Sequence, residues 1–101
     1  MRDEILKLVR LGVLPSEEDV DLELLKFVQA LLSKIDAPIS DQEAEELVKI
    51  FGDDDCFGLS WTAIHLIETA PNWPIQQCLL VNPNNIWIAL LRKRSVFPNQ
   101  T

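Results

Sequence analysis

Apolar residues in this chain recur at steps of three and four, and each such run is cut short by proline, glycine or asparagine. Val20, Leu24, Phe27, Val28, Leu31, Leu32 and Ile35 form the longest example, ending before Ala37-Pro38. A helix turns once every 3.6 residues, so this spacing gathers the apolar side chains on one face, where a strand would need alternation. The one stretch that could suggest a strand, Val81 to Ile88, is interrupted by Asn82-Pro83-Asn84-Asn85. The sequence therefore predicts an all-α fold, a compact bundle of five to six helices. Its 101 residues suit a single helical domain over 1–101. A hydrophobic content of 48% supplies a core without help from disulfides or metals.

Punctuation places the helices. The first covers about Arg2 to Leu11, with Ile5, Leu8, Val9 and Leu11 on one stripe, and Gly12 and Pro15 close it. Ser16-Glu17-Glu18-Asp19 reads as the N-cap and acidic first turn of the second, a helix of some five turns. Ser40 and Glu43 have the spacing of a capping box, and their helix runs to Phe51 with Gly52 as its C′ residue. Asp53-Asp54-Asp55 makes a turn that caps a fourth helix from about Cys56 to Thr69, with Gly58 in its interior. Pro74 suits the first position of a fifth, through about Val81. Asn84 or Asn85 caps the sixth, which carries Arg92, Lys93 and Arg94 in its last turn. Val96 to Thr101 is expected to fray or lie across the surface.

Charge excludes some functions and favours another. Sixteen acidic residues against nine basic ones give a net −7, which repels rather than neutralises nucleic-acid phosphates. No apolar run approaches the ~18 residues of a membrane span. The N-terminal Met-Arg-Asp-Glu-Ile-Leu-Lys lacks the apolar stretch of a signal peptide, so a cytoplasmic location is expected. Residues 16–55 hold thirteen acidic residues and three lysines, a net −10, whereas the flanking segments are slightly positive. That exceeds what helix caps require and points to a surface that steers a basic protein partner. Asp53, Asp54 and Asp55 are its sharpest local feature.

The helix after those aspartates is apolar on most sides and should be central. Trp61, His65 and Glu68, at i, i+4 and i+7, share one remaining face. Trp61 reads as packed against a neighbouring helix, with an exposed interface edge as the alternative. Trp73 is expected to pin its loop onto the core, and Trp87 divides evenly between burial and partner contact. His65 reads first as structural, then as a binding contact, and last as a general acid or base oriented by Glu68. Cys56 and Cys78 read as buried free thiols, since they have neither the spacing nor the histidine partners of a zinc site. No cofactor and no metal site is expected. The sequence also carries no phosphate loop, nucleophile elbow or dinucleotide fingerprint.

Two stretches, Ala44–Glu68 and Pro74–Arg94, share the outline helix, polar turn, helix, which resembles HEAT-like antiparallel hairpins. Taken with the acidity and the tryptophan-bearing central helix, the chain resembles by type the small bacterial immunity proteins that neutralise a cognate toxin. That resemblance implies binding and occlusion of a basic toxin domain, with Asp53, Asp54, Asp55, Trp61, His65, Glu68 and Trp87 as the candidate contacts. A generic protein–protein adaptor or homodimeric regulatory protein, joined through the Trp87 helix, is the alternative. A small enzyme using His65 comes third.

Overall fold

A computed structural model describes residues 1–19 and 21–96. Among the described residues the chain forms six helices and no strand: α1 (Asp3–Leu11), α2 (Leu22–Ser33), α3 (Asp41–Leu47), α4 (Leu59–Ile67), α5 (Gln76–Leu80) and α6 (Ile86–Val96). A single 3₁₀ turn, Val48–Ile50, extends α3. The radius of gyration is 13.1 Å, which is that of a compact chain of this length. Residues 97–101, and with them the expectation for the C-terminal tail beyond Val96, lie outside the described residues, as does Val20.

The buried side chains form one apolar cluster to which every helix contributes. Ile5 and Leu8 of α1, Val28, Leu31 and Leu32 of α2, and Leu47 of α3 meet Ile64 and Ile67 of α4. Cys78 of α5 and Ile88 and Leu91 of α6 complete it. Helix α1 packs on α2 and α3, α3 on α4, and α5 on α6. Trp73 is half-buried against this core, as its place in the loop suggested. Leu11 does not share the α1 stripe and is exposed.

Two caps lie where the sequence put them. The Ser40 hydroxyl accepts the Glu43 N–H at 3.0 Å and the Glu43 carboxylate accepts the Ser40 N–H at 2.9 Å. That reciprocal pair satisfies two orphan amides at the start of α3. Asn85 caps α6 by accepting the Trp87 N–H at 2.9 Å.

Four boundaries differ from the sequence reading. Residues 16–19 form a turn, not the first turn of a helix, and α2 starts at Leu22 with Asp21 as its N-cap. Gly52 does not end α3 in a left-handed conformation; a side chain there would collide with the Leu14 carbonyl oxygen. That close approach follows from the Leu14 N–H donating to the Ile50 carbonyl at 2.8 Å, which lays the first loop over the end of α3. Helix α4 starts at Leu59, and Gly58 is its N-cap at φ +88°. Gly58 thus serves a left-handed turn, with no neighbour crowding it. Helix α5 opens at Gln76 after the N-cap Ile75, two residues beyond Pro74.

Candidate partner-binding surface

The aspartate turn is held by its own carboxylate and by a distant one. Asp54 Oδ1 accepts the Cys56 N–H at 3.0 Å, and Asp54 Oδ2 accepts the Glu17 N–H at 2.8 Å. Glu17 answers with Oε2, which accepts the Phe57 N–H at 2.8 Å. The Asp54 carbonyl accepts the Trp87 indole N–H at 3.2 Å, and the Asp55 carbonyl accepts the Ser60 N–H at 3.1 Å. The aspartates therefore brace the turn instead of capping α4 directly. Asp55 Oδ1 is buried and finds no hydrogen-bond partner among the described residues.

This bracing forces an unusual backbone. Cys56, Phe57 and Gly58 take φ values of +49°, +56° and +88° in succession. Left-handed φ costs a non-glycine residue roughly 1–2 kcal/mol. Phe57 bears that cost as a residue 56% exposed to solvent, so core packing does not repay it.

The same bonds join two acidic segments about forty residues apart in sequence. Glu17, Glu18, Asp19, Asp21 and Glu23 are exposed, as is Asp53. Neither the 16–25 stretch nor the 53–57 turn contains a lysine or arginine. Three other acidic residues of the middle segment are used differently. Glu43 is buried against Arg2, Glu46 pairs with Lys49 at 2.9 Å, and Asp41 accepts two hydrogen bonds from Asn72. The two turns and the start of α2 thus hold the densest cluster of carboxylates without a cation, although Asp36, Asp41 and Glu45 also have no cationic partner among the described residues.

On α4, Trp61 is 37% exposed and not buried, whereas Trp87 is 7% exposed and packs in the core. Their rings meet edge to face at 5.9 Å. Trp61 and His65 lie one turn apart with ring centroids 6.0 Å apart. Glu68 does not orient His65; it holds Arg94 in a two-pronged pair at 2.7 and 2.8 Å. The Arg94 guanidinium then sits 5.7 Å from the centre of the Trp61 ring. Its hydrogen bond to Glu68 raises the Arg94 pKa. A histidine–carboxylate dyad is thereby absent from this face of α4.

No family model, no curated protein and no solved structure matches the chain. The site therefore rests on geometry.

Chemically, the surface offers carboxylates, exposed aromatic faces and little nucleophilicity. Burial first, and then the carboxylates of Asp54, Glu17 and Asp55, push the Cys56 thiol up, which disfavours a thiolate. Burial also pushes Cys78 up to about 12. Both cysteines are buried and free. Among the described residues no group of three or more His, Cys, Asp or Glu side chains is placed to hold a metal ion. No described helix is long and apolar enough to cross a membrane.

The structure brings Asp53, Asp54, Asp55, Trp61 and Trp87 into one region, since the Asp54 carbonyl, the Trp87 indole and the Trp61 ring touch in series. His65 and Glu68 continue along α4. Glu17, Phe57 and Arg94 are the additions that sequence reasoning missed. The tripeptide Asp55-Cys56-Phe57 before Gly58 was the available signal for Phe57. Arg94 gave none, because its partners lie 26 and 33 residues away in sequence.

Proposed function

We propose that this protein is a binding module of the immunity type, which neutralises a cognate bacterial toxin by covering a basic surface of it. The observation that carries this reading is the link between two acidic turns, in which Glu17 and Asp54 each accept a backbone N–H from the other turn and hold the turn that presents the exposed Phe57, while Asp53, Glu17, Glu18 and Asp19 face solvent. Aromatic side chains in a desolvated centre and charges at the rim are the usual division of labour in tight protein interfaces. Carboxylates steer a cationic partner from a distance and so raise its association rate. The ring of Phe57, presented on a turn braced by two carboxylates, loses little freedom on docking. The HEAT-like pairing of α3 with α4 and of α5 with α6, and action in the cytoplasm, belong to the same proposal.

The test is genetic and then biochemical. A gene for a large secreted toxin directly upstream, whose product kills cells unless this chain is co-expressed, is the expected result. Protection should fall with Phe57→Ala combined with Asp53→Asn, while the circular dichroism spectrum stays unchanged. Full protection by that double variant would move the interface elsewhere, and unrelated neighbouring genes would favour an adaptor.

A further inference from the structure

The exposed side of α4 changes sign from one end to the other. Its N-terminal end opens from the 53–57 turn, where Asp53 and the neighbouring Glu17, Glu18 and Asp19 face solvent with no lysine or arginine in either turn. Its C-terminal end lies against the last turn of α6, where Glu68 holds Arg94. Arg92, Lys93 and Arg94 are the one run of three cations in the chain, and no acidic residue follows Glu68 in the sequence. Glu68 is the one carboxylate paired with them among the described residues, so two of the three charges stand unanswered. The nine residues of α4 put the two ends roughly 13 Å apart at 1.5 Å per residue. Between them sits the exposed Trp61 ring. It rests edge to face on Trp87, which donates to the Asp54 carbonyl at the acidic end, and it lies under the Arg94 guanidinium at the basic end.

We propose that this face is a self-association surface on which a second copy of the chain lies antiparallel, related by a two-fold axis beside Trp61. A half-turn exchanges the two ends, so each acidic turn meets the α6 terminus of the other copy while the two Trp61 rings meet at the centre. Charge complementarity selects this occupant. A face of one sign repels its own copy, and a uniformly charged partner meets opposition at one end or the other. A face with opposite signs at its two ends is its own complement. Rings at the centre and charges at the rim also match the usual layout of a protein interface. Two chains of net −7 repel in other orientations, so the attraction is confined to the register that brings opposite ends within a Debye length, about 8 Å at physiological salt.

The pairing requires no toxin, so it stands apart from the immunity reading. It nevertheless covers the acidic turns proposed to meet a basic partner, and the two associations therefore exclude one another.

Sedimentation velocity over a wide concentration range is the experiment, and a monomer–dimer equilibrium is the expected result for the wild type. Asp19→Lys with Asp53→Lys weakens the attraction at one end, and Lys93→Glu with Arg94→Glu reverses the other. Each double variant alone should dimerise at least about tenfold more weakly. An equimolar mixture of the two regains one intact acid-to-base contact and should associate more tightly than either alone. Trp61→Ala should weaken the wild-type dimer by about tenfold. Lys7→Glu, a reversal on α1, should leave it unchanged. All of these positions are exposed, and circular dichroism checks that each variant folds. A wild-type chain that stays monomeric at every concentration overturns the proposal. So does a mixture no tighter than its components, or a dimer that Lys7→Glu weakens as much as the changes at Lys93 and Arg94. A monomer that still neutralises a toxin sinks this inference alone, and a dimer without a toxin partner sinks only the immunity reading.

Discussion

The start of α3 and the aspartate turn use the same chemistry to opposite ends. In both, a carboxylate far along the chain accepts backbone N–H groups and ties two segments together. At α3 the carboxylate is Glu43, 4% exposed, and Arg2 meets it with both its guanidinium and its backbone N–H. The Arg2 guanidinium also donates to the Asp36 and Pro38 carbonyls, so the charge is fully answered inside the protein. At the turn, Glu17 and Asp54 accept the same kind of N–H groups, yet neither segment brings a cation. The first arrangement is a structural clamp. The second leaves its negative charge facing solvent, available to something else.

Breaking the clamp should have the largest effect. Arg2→Ala strands a buried carboxylate, and unfolding midpoints should report a loss of about 3 kcal/mol. The corresponding change at the turn, Asp54→Ala, removes the acceptor for two N–H groups at a more exposed site and should cost about 1–2 kcal/mol. Equal losses would mean that the two sites are not different in kind.

Acid separates them next. Burial alone would raise the pKa of Glu43, but the Ser40 N–H, the Arg2 guanidinium and the Arg2 backbone N–H outweigh it and hold the group at about 2. A depressed carboxylate stabilises the fold above its unfolded value and loses that contribution as pH falls. The window runs from about 4.5 down to about 2, and the full linkage is about 3 kcal/mol. Stability measured across that window should decline in the wild type and flatten in Arg2→Ala. An equally steep decline in the variant would place the acid sensitivity elsewhere.

The smallest stability effect should be the most informative about the turn. Phe57→Gly relieves a left-handed φ and removes an exposed ring, so it should raise stability by up to about 1 kcal/mol. A substantial loss would show that the ring packs for stability and not for recognition.

What the sequence made legible was local. The Ser40–Glu43 box and the Asn85 cap are settled within three residues, and the all-α fold follows from spacing alone. What it hid was the long-range use of those same groups. Glu43 could be read as a cap partner but not as the seat of an ion pair with Arg2, 41 residues away. Glu17 looked like a helix-start acid because a carboxylate after serine suits a helix dipole; only its 40-residue link to Phe57 reveals a brace. Gly58 was misplaced because a glycine inside a helix and one at its left-handed entrance look alike in sequence. The wide apolar arc of α4 favours burial for Trp61 and the sequence leaves Trp87 open, an order the structure reverses. Packing against the 54–55 turn decided between them.

The contrast between answered and unanswered carboxylates predicts where a basic partner lands. Stopped-flow association with the basic toxin domain proposed as partner measures this directly, using a triple variant, Glu18→Gln, Asp19→Asn and Asp53→Asn, that spares the bracing oxygens of Glu17 and Asp54. At low salt the variant should associate about tenfold more slowly than the wild type, and the two rates should converge as salt rises toward molar concentration. Equal rates at low salt would contradict the account and reduce the acidic turns to a solubilising surface.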